Sequence, residues 1–429
     1  MPYAAGRATT RDSMSHDIAT AVANTRATKL LAAALILSAP VAVYAHQGMV
    51  LLLILALFAQ PNFAALVGMM RTWARRPETW LATAFFAWCL VTLAWTPRPN
   101  PVTVVRVALV AVAALLVATR IRTLTDAERA WLGPWAAAAG LLMLALFGEE
   151  MITHGLVLGV LDPRLAPFQP GQYEPPIMQH ASRGAAVLAP LSFAFAALLA
   201  GVTKRAWLGV TFVAAALWAC MSSTIDASWL AISCGAIAYV VTWRFPRFAV
   251  AGFFAALVSY ALLAPIPSLT VLTLDDVTVL GDQTWHGIQQ RVGIWQYAAS
   301  LIAERPLTGH GFDAARVLSE RGAIIPRSPG WPALPLHTHN ILLQIWLELG
   351  AVGALMAGGG LALVGRRMWA LTSAPATAAL AMSTFTACAV ISLISYGAWQ
   401  YWWIATWGFA AALVVLARTV AQTRPSSPA

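Results

Sequence analysis

The chain has 429 residues, of which 59% are hydrophobic and only 10% are charged. A soluble domain usually carries about 25% charged residues, so no ordinary soluble fold could bury this much apolar side chain. The formal net charge is +10, which in a soluble protein would suggest a nucleic-acid partner. Here the basic residues recur in every second connection between apolar segments. This is the bias of cytoplasmic loops in membrane proteins, so we expect no nucleic-acid partner.

Apolar segments follow one another along the chain, and each crossing of a bilayer needs roughly 20 helical residues. They predict an all-α polytopic integral membrane protein with about twelve transmembrane helices, because continuous runs of this length do not suit a barrel of alternating strands. Both termini are expected to be cytoplasmic. The predicted order is a disordered tail at 1–29, helices 1–5 within 30–148, an outward loop at 149–183, helices 6–9 within 184–267, a large outward loop at 268–338, helices 10–12 within 339–418, and a tail at 419–429.

The first long outward loop ends where the sixth predicted crossing begins, at His180-Ala181-Ser182-Arg183. Loops this long in a compact protein are usually functional. A basic residue at a helix end also often reaches only to the lipid headgroups. Arg183 therefore has two interpretations, a headgroup contact or a member of a site, and its surroundings must decide between them.

The second long loop contains apolar residues at helical spacing, namely Ile288, Val292, Trp295, Ala299 and Ile302. They predict an amphipathic helix on the bilayer surface or over a cavity. Arg291 lies at the border of this apolar stripe, so it belongs either to the polar edge of the helix or to a cleft. Pro306 is expected to end the helix, and Gly309 and Gly311 then allow a tight turn.

The chain returns to the membrane with His337-Thr338-His339-Asn340 at the start of the tenth predicted crossing. These histidines either occupy an ordinary helix start or carry acid–base chemistry, since an imidazole titrates near neutral pH. Earlier in the loop, Asp275 and Asp276 suggest a metal site. Two neighbouring carboxylates without a third ligand usually only solvate a loop, so we expect no metal.

Several tryptophans crowd the start of the last predicted crossing: Trp399, Trp402, Trp403 and Trp407. Indole rings are enriched at membrane–water interfaces, and this group is interpreted as an aromatic belt in contact with membrane lipid.

Three motifs follow one another in the chain: Arg291-Val292-Gly293-Ile294-Trp295, then Glu304-Arg305-Pro306-Leu307-Thr308-Gly309-His310-Gly311-Phe312, then His339-Asn340 followed by Gly350 and Gly353. Their order resembles the core of the O-antigen ligase and polymerase family. The flanking apolar crossings are similar to those of the family in number and orientation.

The resemblance implies a glycosyltransferase of the bacterial inner membrane whose active site faces the periplasm, which makes the long loops periplasmic. It would move a glycan from undecaprenyl diphosphate to the lipid A core oligosaccharide, with inversion and without metal or cofactor. Arg183 and Arg291 would bind the diphosphate, because guanidinium groups stabilise charge that grows on a leaving group. His339 would lie near the acceptor hydroxyl as the base, and His337 remains a second candidate.

Other functions fit parts of the same pattern. A polymerase of the family would use the same donor with another lipid-linked glycan as acceptor, and a third relative attaches glycans to protein hydroxyls. A lipid-linked sugar transporter would place ionisable residues in mid-membrane, where Arg106 and Asp226 are the residues to test. The ligase remains the leading hypothesis, with its site expected in a cleft between the two long loops.

Overall fold

The computed structural model describes residues 25–59, 63–163, 176–223, 226–271, 286–325 and 332–422. Throughout this part of the chain the regular secondary structure is helical, apart from one isolated bridge between Ile324 and Pro332. The prediction of an all-α polytopic membrane protein is confirmed. Residues 26–29 and 419–422, which the prediction assigned to the tails at 1–29 and 419–429, are helical. The rest of both tails before residue 25 and after residue 422, and the Asp275-Asp276 pair, lie outside the described residues.

The first helices are α1 Arg26–Tyr44, α2 Met49–Leu57, α3 Phe63–Ala74, α4 Pro77–Thr92, α5 Pro101–Arg122, α6 Asp126–Thr153, α7 Leu156–Leu161, α8 Pro176–Thr203 and α9 Ala206–Met221. They are followed by α10 Asp226–Arg244, α11 Pro246–Leu263, α12 Pro265–Thr270, α13 His286–Glu304, α14 Ala315–Leu318, α15 Ile341–Trp369, α16 Pro375–Ile394 and α17 Tyr401–Gln422. Short 3-10 turns occupy His46–Gly48 and Ser319–Arg321.

Within the described ranges, eight helices are long and apolar enough to span a membrane: α1, α5, α6, α8, α11, α15, α16 and α17. Two shorter apolar helices cover His46–Leu57 and Ala206–Met221. The predicted number of about twelve crossings is therefore not confirmed. One predicted crossing, Met49 to Met70, is divided between α2 and α3. Helix α2 ends at Leu57, and a turn at Phe58 and Ala59 follows it.

The chain divides into two compact units. Unit 1 comprises residues 1–69, 111–233 and 405–429, and unit 2 comprises residues 70–110 and 234–404. In unit 1, α1 packs against α6 and α8, and α8 packs against α9. In unit 2, α11 packs along α15, which also contacts α4, α13 and α16. The long helix α15 is therefore the central element of unit 2.

The amphipathic helix predicted in the second long loop is α13. Ile302 and Leu301 of this helix belong to a buried cluster that also contains Leu343 and Leu347 of α15. Val292, on the predicted apolar stripe, is 1% exposed. The stripe therefore packs against other parts of unit 2, which anchors Arg291 to the core of that unit.

Helix α15 is interrupted at Gly350, where φ is +65°. Residues 306–311, which follow α13, are here named the inserted segment. At the break, their backbone groups replace the hydrogen-bond partners that the next turn of α15 would supply, so the segment and α15 are joined. Four hydrogen bonds join them: the N–H of Ala351 donates to Pro306 O at 2.9 Å, that of Val352 to Leu307 O at 3.5 Å, that of His310 to Leu347 O at 2.9 Å, and that of Gly311 to Glu348 O at 2.8 Å. A Cβ at Gly309 or Gly350 would overlap the opposing backbone, which explains why both positions hold glycine.

Candidate functional site

A polar turn at residues 337–340 leads into α15, and its last residue caps the helix. The side-chain oxygen of Asn340 accepts hydrogen bonds from the N–H groups of the second and third helical residues at 3.1 Å each. Its side-chain nitrogen donates to the Tyr260 hydroxyl at 2.7 Å, and the Thr338 hydroxyl donates to the Asn340 carbonyl at 2.7 Å. An N-cap with two further hydrogen bonds fixes the turn on α15.

The two candidate histidines lie side by side in this turn. Their ring centroids are 4.4 Å apart, and the backbone N–H of His339 donates to Nδ1 of His337 at 3.1 Å. His339 has a φ of +53°, a conformation that residues with a Cβ seldom adopt. Backbone strain of this kind persists only where the surrounding contacts hold it, and it is concentrated at functional sites.

The hydrogen bonds of His337 restrict its protonation. Because Nδ1 accepts a hydrogen bond, the neutral ring carries its hydrogen on Nε2. The side-chain nitrogen of Gln400 lies 3.4 Å from Nε2, and rotating that amide would present its oxygen as the matching acceptor. Both ring nitrogens of His337 therefore have protein neighbours, which leaves no nitrogen ready to take a proton from a substrate.

Arg291 and His339 converge on the C-terminal end of α16. The Nε of Arg291 donates to the carbonyl of Ile394, the last residue of that helix, and its Nη1 donates to Gly287 O at 2.8 Å. The backbone of Ser395, the next residue, acts on the His339 ring and raises its pKa. The partial negative charge at a helix C-terminus attracts a guanidinium group, so α16 orients Arg291 beside His339.

The surroundings favour the neutral form of both histidines. Burial lowers the pKa of His339 to about 4, the nearby Arg291 charge acts in the same direction, and the backbone of Ser395 opposes them. Burial, with the charges of His339 and Arg316, lowers the pKa of His337 to about 3. At neutral pH the site therefore combines one fixed cation with an unprotonated imidazole that can accept a proton.

Arg183 lies in unit 1, at an exposed position near the start of α8. Beside it, Nε2 of His180 lies 3.1 Å from Tyr44 O, and the His180 ring packs edge-on against His46 at 5.4 Å. The charge of Arg183 acts on the His46 ring. The structure thus brings Arg291, His337 and His339 together in unit 2, whereas the grouping of Arg183 with them stays a prediction.

The interpretation of the tryptophan group as an aromatic belt was wrong for three of its members. Trp399, Trp402 and Trp403 are 7%, 6% and 1% exposed. Two of them donate indole N–H groups inside the protein, Trp399 to the Glu348 carboxylate and Trp403 to the Ser392 hydroxyl at 2.9 Å. Hydropathy cannot distinguish an indole at the lipid interface from one that pairs with a buried polar group.

Sequence reasoning missed Glu348, the wholly buried carboxylate that Trp399 contacts. It lies in α15 with a side chain that is 0% exposed. A signal was available, because an ionisable residue within a membrane span is by default a candidate for function.

The metal and transporter interpretations rest on other residues. In the ranges that the structure describes, no three His, Cys, Asp or Glu side chains form a group that could hold a metal ion. Arg106 is exposed on α5, and the side chain of Asp226 lies outside the described residues.

Residues 211–358 match the family model described as O-antigen ligase. The matched range contains Arg291, His337, His339 and Gly350, and Arg183 precedes it. The resemblance to the O-antigen ligase family is thereby confirmed for this part of the chain.

Curated relatives agree with the family match. A protein of Rickettsia felis provisionally named a polysaccharide ligase is 26% identical over 231 residues, which cover 52% of this chain and 55% of the relative. Relatives with similar names from Rickettsia conorii and Rickettsia bellii are 29% and 35% identical, over 42% and 27% of this chain and 44% and 29% of their own lengths. The chain thus spans about half or less of the length of these relatives.

Proposed function

We propose that this protein is an O-antigen ligase, which moves a glycan from undecaprenyl diphosphate to the lipid A core oligosaccharide. The reaction would take place at the periplasmic face of the bacterial inner membrane, with both termini cytoplasmic. The observation that carries the proposal is that Arg291 and His339, both within the family-matched residues, lie close together near the C-terminal end of α16. A fixed cation beside a neutral imidazole suits a reaction with an anionic leaving group and an alcohol as nucleophile.

The proposed step is a single inverting displacement. The acceptor hydroxyl oxygen attacks the anomeric carbon from the face opposite the diphosphate, and the bond from that carbon to the diphosphate oxygen breaks. Undecaprenyl diphosphate leaves with the electron pair, and Arg291, together with Arg183, stabilises its growing negative charge. His339 takes the hydroxyl proton, so atoms and charge balance without a metal.

His339 is the better candidate for the base. The ring of His337 accepts the N–H of His339 at Nδ1 and faces Gln400 at Nε2. The Ser395 backbone acts on the His339 ring, and a neutral imidazole keeps one nitrogen lone pair that can accept a proton. In this interpretation His337 holds the strained backbone of His339 and does not touch the transferred proton.

Donor binding would also make His339 a stronger base. The positive charge of Arg291 contributes to the low pKa of His339 in the free protein. A bound diphosphate would offset that charge, so the pKa of His339 would rise when the donor is in place. Proton transfer would then be favoured only in the presence of the leaving group.

The test is transfer in vitro by purified protein, with an undecaprenyl-diphosphate glycan as donor and lipid A core as acceptor. We expect Arg291→Ala to lower the rate by about a hundredfold or more and His339→Gln by about a hundredfold to ten-thousandfold. Arg321→Ala is the matched control, because Arg321 belongs to the same loop but is exposed and pairs loosely with Glu304 at 3.8 Å. It should leave the rate unchanged.

Arg291 also caps α16, so a folding defect must be separated from a chemical one. Arg291→Lys keeps the charge but loses the forked donor geometry, and its unfolding temperature in detergent should stay near that of the wild type while the rate falls. Products that join two lipid-linked glycans would identify a polymerase instead. Loss of activity in chelator would contradict the metal-independent mechanism.

A further inference from the structure

Glu348 accepts hydrogen bonds on both oxygens although its side chain is wholly buried. The donors are Trp399 Nε1, the Asp313 backbone N–H at 2.7 Å, Gln344 Nε2 at 2.9 Å and the Ala315 backbone N–H at 3.4 Å. These groups come from α15 itself, from the residues just after the inserted segment, and from the connection between α16 and α17. One side chain therefore joins three segments of unit 2.

The donors also indicate the charge of this group. All four are N–H groups, and an ionised carboxylate only accepts hydrogen bonds. A protonated acid would have to direct its own hydrogen at one of these N–H groups. Burying an unpaired charge is costly unless hydrogen bonds compensate for the lost water, and four donors provide that compensation. The geometry thus suits an ionised carboxylate inside α15.

Gln344, one helical turn before Glu348, connects the buried carboxylate with the segment that contacts the histidines. Its Nε2 donates to Glu348, so its amide cannot rotate without placing an oxygen against the carboxylate. Its oxygen therefore faces the other way, where it accepts the backbone N–H of Ala398 at 2.8 Å. The buried carboxylate thereby fixes the backbone position of the connection at 397–400.

That connection packs against His337. A Cβ at Gly397 would lie 3.0 Å from both Cβ and Cγ of His337, so the backbone is as close as it can be without a side chain. Gln400, at the end of the same connection, reaches Nε2 of the ring. His337 in turn accepts the N–H of His339. A continuous series of contacts thus runs from Glu348 to the proposed base.

We propose that Glu348 and Gln344 are positioning residues for the proposed transfer, acting through the 397–400 connection to hold His337 in one tautomer and His339 in its left-handed conformation. The proposal rests on the proposed function for its effect on rate, but its effect on His337 does not require a substrate. The two can therefore be tested separately.

Gln344→Leu is the decisive variant, because it breaks the series and leaves three of the four donors of Glu348 in place. We expect kcat to fall by about tenfold to a hundredfold with little change in the KM of the donor, since Arg291 is not on this path. Trp346→Phe is the matched control: the Trp346 indole, on the same helix, donates to Ala261 O at 2.8 Å, a hydrogen bond outside the series. It should lower the unfolding temperature without changing kcat.

Glu348→Gln should also lower kcat. The NH₂ group of the new side chain would face N–H donors and could not accept their hydrogen bonds. Since this variant could fail to fold, nitrogen-15 spectra of the histidine rings in detergent provide a readout that needs no activity. The signal that disappears in His337→Gln is thereby assigned to His337. In the wild type, this signal should show that the ring hydrogen is on Nε2. In Gln344→Leu that signal should become a mixture of tautomers.

Unchanged spectra and an unchanged kcat in Gln344→Leu would overturn the proposal. A lower kcat that is accompanied by a lower unfolding temperature and an unchanged His337 signal would also overturn the proposal. It would show that Gln344 has a purely structural role. If the wild type transfers no glycan but the His337 signal changes in Gln344→Leu, the proposed function fails and the positioning role stands.

Discussion

Each unit contains a pair of histidines, an arginine and a buried glutamate, and the two groups are organised differently. In unit 1, His46 and His180 come from distant parts of the chain, and Arg183 beside them is exposed. In unit 2, His337 and His339 are two residues apart, and Arg291 is half-buried and bonded to two carbonyl groups.

The buried glutamates differ in the same way. Glu150 of unit 1 accepts the backbone N–H of Leu158 at 2.9 Å, a local bond that caps the short helix α7. Glu348 of unit 2 accepts four N–H groups from three segments. Proton transfer requires groups held in a fixed geometry, whereas attraction of a charged ligand acts over a distance and tolerates mobile side chains. In the proposed mechanism the fixed groups of unit 2 suit proton transfer, whereas the exposed Arg183 of unit 1 suits attraction of a charged ligand.

Replacing Arg183 is the strongest test of this comparison. If unit 1 contributes charge to the diphosphate, Arg183→Ala should lower the transfer rate by about a hundredfold, and Arg183→Lys should recover part of it because the charge remains. Arg205→Ala is the matched control, since Arg205 is also an exposed arginine of unit 1. Full activity in Arg183→Ala would confine the site to unit 2.

Replacing Glu150 separates the two buried carboxylates. Glu150→Ala leaves the Leu158 N–H without its acceptor, which should lower the free energy of unfolding by about 1–3 kcal/mol. The rate per folded molecule should be retained, unlike that of Glu348→Gln. Chemical unfolding in detergent measures the first effect and the transfer assay measures the second. The adjacent Glu149→Ala, at a less buried position, should cost less, and a lost rate in Glu150→Ala would remove the distinction between the units.

The pH dependence should show the smallest change. The base must be unprotonated, and the pKa of His339 is lowered to about 4 in the free protein. We therefore expect kcat/KM to vary by less than about twofold between pH 8 and pH 5 and to fall only as the pH approaches that pKa. The kcat profile should fall at a higher pH, because bound diphosphate raises the pKa. A fall of kcat/KM centred on the ordinary histidine pKa, about 6.5, would exclude His339 in this environment as the base.

Hydropathy was sufficient to predict the fold class and the position of α13, because both depend on local composition and periodicity. The motif order also directed attention to Arg291 and the two histidines. Glu348 could have been noticed as a lone acidic residue in an apolar span. Its partners could not be predicted, since the Asp313 and Trp399 contacts join residues that are 35 and 51 positions apart.

The break at Gly350 shows the same limit. A glycine in an apolar helix is compatible with an unbroken helix, so residue type alone does not predict that another segment supplies the missing hydrogen bonds. The predicted tight turn at Gly309 and Gly311 was a local feature. The pairing of this turn with α15 is a long-range feature, and only the structure reveals it.

The exchanged hydrogen bonds at Gly350 have a consequence for building chimaeras between relatives. Hydrocarbon cannot replace a missing hydrogen-bond partner, and each unsatisfied backbone group there costs several kcal/mol. If α15 were inserted without residues 306–311, its break would leave such groups without partners inside an apolar span. A graft of the loop must therefore carry both its glycines and the matching turn of α15, because the two pieces of chain behave as a single exchangeable part.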